Sequence, residues 1–332
     1  MLSAIYVENA VVDHPRTLAI IARYKDLPVI YCEHYGEIFN RSAQNFRLQK
    51  TRPALILAHK DNRRVMDAPA DYGIGEGRHF YFSHMLNCVY DCRYCFLQGM
   101  YRSANYVLFV NFEDFAEDIR STAIDSSQMN YFYSGYDCDS LAFEPVTGFV
   151  ENILPVFDGL PNAILELRTK STQVRGLLSV KPIDNCVVAF SLSPDNIANA
   201  LEHKAPSLEK RLAAIVKLQQ QGWKVGLRFD PVFWQKNWQQ IYADFFQMVF
   251  SGLDVDALHS VSLGAFRLPE NFFNNIVKLY PQEALFAGNF EKNDGMMSYA
   301  QQQETELLSA CEGMISHYVS TGQYFPCYGE LK

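Results

Sequence analysis

Three cysteines stand within one short run, Cys88-Val-Tyr-Asp-Cys92-Arg-Tyr-Cys95. Soft thiolates select zinc or iron–sulfur centres. Three of them do not complete a four-thiolate site. They can hold three irons of a [4Fe-4S] cubane and leave the fourth iron open to chelate a ligand. The other reading is a zinc knuckle completed by His84 or by a further cysteine. The remaining cysteines, at positions 32, 138, 186, 311 and 327, are scattered rather than spaced as a disulfide scaffold, which points to a reducing compartment.

Apolar runs supply the elements that must position this loop. Strands are expected at 79–86, 129–135, 163–169, 185–192, 223–230 and 260–267. Helices are expected between them, most clearly Ser207 to Gln221, where Ser207 is a candidate N-cap and Gly222 a stop. Two more are expected over Trp238 to Phe250 and Pro269 to Tyr280, and a last helix over Met296 to Tyr318, packing across the barrel. Strands alternating with helices predict an α/β fold with parallel pairing, a partial (β/α)6 barrel. The cysteines then lie at the C-terminal end of the first barrel strand, the face that carries chemistry in such barrels. Residues 1–78 read as an N-terminal extension with strands near 27–31 and 53–59, 79–280 as the barrel, and 281–332 as a C-terminal helical segment.

The net charge of −8 disfavours a general duplex-DNA binder. The stretch Arg41 to Arg64 is locally basic, with Arg41, Arg47, Lys50, Arg52, Lys60, Arg63 and Arg64 against Asp61. It reads as a site for phosphates or an anionic substrate, or as a solvated, salt-bridged face. The N-terminus gains acidic residues before any long apolar run develops, and no stretch is apolar enough to span a bilayer. These features predict a cytoplasmic protein without membrane contact.

The motif CxxxCxxC resembles the signature of the radical S-adenosylmethionine (SAM) superfamily. The wider sequence is similar to the spore photoproduct lyase family: HYGEIFNRSAQNFRLQKTRPALILA, CVYDCRYCFLQGM, VLFVNFEDF, ELRTKS, FSLSPD and APSLEKRLAAIVKLQQQGWKVGLRFDPVF resemble family segments in order and approximate spacing. The resemblance implies a radical SAM enzyme with a [4Fe-4S] cluster on Cys88, Cys92 and Cys95, which cleaves SAM reductively and abstracts hydrogen from an organic substrate. It implies Lys170 at the SAM carboxylate and Ser191 as a second SAM contact. Ser134 and Gly135 occupy the turn that meets the SAM amine in many such enzymes; an ordinary turn is the other reading. The implied partners are a reducing electron donor such as flavodoxin or ferredoxin, and a small-molecule, nucleotide or DNA substrate. The family's named activity is repair of a thymine dimer in DNA.

The sequence departs from the family pattern in the hydrogen relay. The family's hydrogen-donor cysteine aligns with Tyr136, and Cys138 lies two positions on. The two relay tyrosines beside the cluster fall on Tyr94 and Phe96, and Phe96 has no phenolic hydrogen. Tyr136, Cys138 and Tyr94 are therefore the candidate catalytic residues. Asp137 and Asp139, flanking Cys138, are expected to raise its thiol pKa. A zinc- or iron–sulfur-containing nucleic-acid-binding protein without catalysis is the alternative class.

Overall fold

The structure, a computed structural model, describes residues 2–69, 73–124 and 128–327. Six parallel strands form the central sheet, side by side in chain order: Arg78–Phe82, Asn130–Ser134, Ala163–Thr169, Cys186–Ser191, Lys224–Val232 and Leu258–Ala265. All six lie where the apolar runs predict them. Val65–Asp67 adds an antiparallel edge strand to the first. Among the described residues the two edges of the sheet do not pair, so the barrel is partial.

The strands read as apolar runs because parallel sheets are covered on both faces; every residue of Cys186–Ser191 is buried. On the outer face Phe82 meets Phe115 and Phe149, Phe132 meets Phe157, and Phe229 meets Phe245, all from flanking helices. Side chains alternate along a strand. The opposite, inner face therefore carries Tyr81, Tyr133, Glu166, Arg168, Ser191, Arg228 and Ser262, which fall in matching register. On it Arg228 forms a buried ion pair with Glu166 at 2.7 Å.

The first strand is shorter than its apolar run. It ends at Phe82, and Met85–Leu86 turns away to pair antiparallel with Tyr106–Phe109 in a second sheet. That sheet has the order Val29–Cys32, Ile5–Glu8, Leu55–Ala58, Tyr106–Phe109, Met85–Leu86. The cysteine loop is thus bracketed in sequence by two strands of a sheet whose other members come from the first 58 residues.

Helix Leu208–Gln221 ends at Gly222, whose φ of +96° suits a left-handed C-cap. Ser207 precedes it without making a side-chain cap bond. Helices Trp238–Ser251 and Glu270–Leu279 also match expectation. The segment Met296 to Tyr318 differs: only Gln301–Ile315 is helical, and Met296–Tyr299 is a strand in an antiparallel sheet with Phe290–Asn293 and Arg267–Pro269. The reason is the tight turn Asp294-Gly295, whose two residues have φ of +45° and +80°. Asp-Gly supplies the two left-handed conformations that a two-residue hairpin needs.

The chain then runs beside the sixth strand, with Phe325 N–H donating to the Val261 carbonyl and Cys327 N–H to the Leu263 carbonyl. Of the C-terminal stretch read in sequence, residues 328–332 lie outside the described residues. Among the described residues no helix is long and apolar enough to cross a membrane.

Candidate active site at the cysteine loop

The cysteine loop is gripped from two sides. On the barrel side Asp91–Cys92 pairs antiparallel with Glu202–His203, and Arg93 N–H donates to the Leu201 carbonyl at 2.8 Å. On the other side Lys50, from helix Phe46–Thr51, donates through Nζ to the Cys88 carbonyl at 2.9 Å. Lys204 Nζ in turn donates to the Lys50 carbonyl at 2.9 Å. Lys50 is only 5% exposed. It belongs to the stretch read in sequence as a basic surface, and the fold turns it inward onto the loop. Gln98 ties the loop internally, donating to Asp91 Oδ1 at 3.0 Å and the Cys92 carbonyl at 3.3 Å.

Burial pushes the thiol of Cys88 up to about 12 and raises those of Cys92 and Cys95. Deprotonating them requires compensating positive charge. The loop supplies part of it: Tyr90 N–H points at Cys88 Sγ from 3.4 Å, the Leu97 N–H at Cys95, and the ammonium groups of Lys50 and Lys170 favour the thiolates. These surroundings suit an anionic thiolate-bound cluster. Among the described residues no group of three or more His, Cys, Asp or Glu side chains is placed to hold a metal ion. His84, the candidate fourth zinc ligand, stacks flat on Phe149 with ring centroids 3.8 Å apart. Burial brings its pKa down to about 3, as for a neutral core histidine.

Lys170 follows the third barrel strand, and its Nζ lies 5.6 Å from the centroid of the Tyr94 ring, which belongs to the cysteine loop. Asp139 holds the backbone beneath it: Oδ2 accepts from Lys170 N–H at 2.7 Å, and Oδ1 from the Thr169 hydroxyl at 2.6 Å. Tyr94 is buried and donates to Glu202 Oε1 at 2.5 Å. Glu202 also accepts from Ser193 Oγ at 3.2 Å and pairs with Arg211. Burial works to raise the Glu202 pKa, but Lys170 and Arg211 outweigh it and hold the carboxyl below the usual range. Arg211 Nη1 further donates to the Ser191 carbonyl at 3.1 Å. One network therefore joins Lys170, Tyr94 and the backbone of Ser191.

Ser134 and Gly135 end the second strand. Ser134 Oγ lies 3.2 Å from the hydroxyl of Ser140, and its register with Phe82 and Leu167 puts it on the helix-facing side. Gly135 has φ of +92°, and a Cβ there would come within 2.6 Å of Ser140 Oγ and 3.1 Å of the Arg168 carbonyl. Only glycine tolerates both constraints. Tyr136 lies between the inner face and the cysteine loop, its ring 4.4 Å from Tyr81 and 5.3 Å from Phe96. Cys138 is buried in the core beside Cys88. Its pKa is raised, first by burial and then by Cys88, Asp137 and Asp139, while the Met85 N–H opposes the shift.

Sequence reasoning did not single out Lys50, Glu202 or Arg211 as site residues, and no local pattern distinguishes them. Their role comes from burial and from contacts spanning up to 154 positions of chain. The inner face likewise gathers Asp230 and Cys327 near Arg168 and Arg228.

A loop of three thiols at the C-terminal end of the first strand of an open parallel sheet, with a lysine held above it from the third, defines the radical SAM class of enzyme. A family model described as Spore photoproduct lyase matches residues 79–319. The chain belongs to the spore photoproduct lyase family. Spore photoproduct lyase of Bacillus subtilis (strain 168) is 23% identical over 245 residues, 70% of this chain and 71% of that protein. The protein of the same description from Clostridium acetobutylicum is 24% identical over 203 residues, 60% of this chain and 59% of its own. Among solved structures, a double mutant of spore photoproduct lyase with bound AdoMet and dinucleoside spore photoproduct superposes with a TM-score of 0.86 at 17% identity, covering 99% of this chain and 98% of that one. A spore photoproduct lyase complexed with dinucleoside spore photoproduct gives 0.84 with the same coverage. These likenesses confirm the expected fold.

Proposed function

We propose that this chain binds a [4Fe-4S] cluster through Cys88, Cys92 and Cys95, and SAM beside it. We propose further that it uses them to abstract hydrogen from a nucleotide-type substrate on the inner face of the sheet. When bound, the pair supplies one-electron cleavage of a carbon–sulfur bond and, through it, hydrogen-atom abstraction. The observation that carries this reading is the Lys170 ammonium, fixed over Tyr94 and electrostatically coupled to Cys92 and Cys95. A positive point charge there suits the carboxylate of an amino-acid ligand. Asp139 fixes the backbone from which Lys170 projects, and Glu202 fixes the Tyr94 ring beneath it. Ser191, in register with Arg228, opens onto the inner face and is the second contact. Gly135 lets the turn after the second strand lie close to Ser140 and the Arg168 carbonyl.

The substrate class is taken from the relatives, whose structures hold a dinucleoside lesion. Hydrogen return differs from a cysteine-based relay at the aligned position. Tyr136 stands there, in ring contact with Phe96 of the cluster loop, whereas Cys138 is enclosed in the core.

The test is anaerobic reconstitution, reduction with dithionite and detection of 5′-deoxyadenosine by mass spectrometry, with Cys92→Ala as control. Product that disappears in the variant supports the reading. A chain that binds one zinc ion and no SAM would sink it.

A further inference from the structure

We propose that the outer face of helix Phe46–Thr51, with the loops around it, is the docking surface for an acidic electron-transfer protein that delivers one electron to the cluster. The inference rests on the cluster reading above. Arg47, Leu48, Thr51 and Arg52 are exposed on or next to this helix, and Leu48 is 68% exposed. Hydrogen bonds hold two further exposed arginines beside them. Gln44 Nε2 donates to the Arg41 carbonyl and Gln49 donates to Gln44, so Arg41 is tied to the helix. Gln49 Oε1 accepts from Ala104 N–H at 3.0 Å, which brings up the segment carrying Arg102.

Among the described residues none of Arg41, Arg47, Arg52 and Arg102 forms a salt bridge. The carboxylates of Asp91 and Glu283, near Tyr280 on one side of the face, are both engaged by Arg93. Arg47 itself stacks near Tyr280, 5.9 Å from the ring centroid. The chain as a whole carries −8, so a local positive face such as this one is where an acidic partner is steered.

What sets this face apart from a merely solvated one is its underside. Lys50, on the same helix, is buried and donates to the Cys88 carbonyl, so one side chain separates the exposed helix from a cluster ligand. The partner's donor is oxidised by one electron and the cluster is reduced by one, with no bond made or broken at the face. A nucleic acid is the lesser fit. An exposed leucine among unpaired arginines suits a protein contact, and a lesion must reach the inner face instead.

The test compares the reconstituted wild type with Arg47→Glu/Arg52→Glu and with Arg47→Lys/Arg52→Lys. The probe is a purified acidic flavodoxin. Its dissociation constant is measured on the oxidised flavoprotein, without turnover, and cluster bleaching is followed with its hydroquinone. The proposal expects charge reversal to weaken binding about tenfold or more, to slow bleaching in step and to flatten the salt dependence. The lysine variant should stay near wild type, and dithionite should bleach the cluster of every variant equally. Unchanged flavodoxin affinity in the reversal variant would overturn the proposal. So would loss of affinity for a single-stranded oligonucleotide while flavodoxin binding persists. Failure of the cluster reading shows separately, as absence of 5′-deoxyadenosine with dithionite in the wild type.

Discussion

The phenol of Tyr94 and the carboxylate of Glu202 share a hydrogen bond of 2.5 Å, although 108 positions separate them in sequence. The same carboxylate is the partner of Arg211, whose side chain is fully buried. Removing it leaves a buried guanidinium without its counter-charge. Glu202→Ala should cost about 3–5 kcal/mol, read as a lower urea midpoint of the cluster-free protein. Tyr94→Phe keeps the ion pair and should cost less than half as much. Equal losses in the two variants would show that the pair is not the anchor described.

In the proposed function Lys170 meets the carboxylate of SAM. Lys170→Met should weaken SAM binding by about tenfold or more, on the order of 1.4 kcal/mol, without reducing iron content. Equilibrium dialysis against the reconstituted protein measures the first and metal analysis the second. Lost iron with unchanged SAM affinity would assign the lysine to the cluster rather than to its ligand.

Cys138 and Tyr136 separate cleanly by experiment. Cys138→Ala should leave turnover within about twofold and cost about 1–2 kcal/mol of stability, as for a small buried side chain. Tyr136→Phe should slow hydrogen return and raise the yield of uncoupled 5′-deoxyadenosine per product. Turnover with a dinucleoside lesion in deuterated buffer, followed by mass spectrometry, reads both. Activity abolished by Cys138→Ala alone would make the buried cysteine the donor.

His84 makes the protein sensitive to acid. Its pKa falls from 6.5 to about 3 on burial, so below pH 6.5 the unfolded chain takes up a proton that the folded chain does not. Stability is lost as the pH falls through the unfolded value. Between pH 6.5 and about pH 5 this group alone should remove about 2 kcal/mol. His84→Phe, which keeps a ring on Phe149, should show a shallower decline over that window by that amount. Parallel denaturation profiles for the two proteins would refute the assignment.

The barrel was legible because its strands are covered on both faces and so are dominated by apolar residues, most completely in Cys186–Ser191. The cysteine loop was legible because its three cysteines lie close together in sequence. The hairpin before the last helix was not, although Asp294-Gly295 carried the signal: a turn dipeptide between two short runs of mixed polarity is easily absorbed into a neighbouring helical pattern. Lys50 was misjudged for a different reason. A lysine among arginines reads as solvated, and only the approach of Cys88 gives its ammonium a reason to be inside. Glu202 and Arg211 lie nine positions apart, but their shared role is set by Tyr94, far earlier in the chain.

The strands Met85–Leu86 and Tyr106–Phe109 sit in the sheet built from the first 58 residues, while the loop between them carries the thiols. A protein cut before residue 79 would retain the whole family-matched segment and still lose the neighbour to which Tyr106–Phe109 is bonded, Leu55–Ala58. Its raw strand edge would invite aggregation, and the cysteine loop would lose the grip of Lys50 on Cys88 and be left to its barrel-side pairing with Glu202–His203 alone. The cysteine loop is thus a splice between two sheets. Swapping either sheet for a relative's, without the other, should scramble the site even where every ligand is kept.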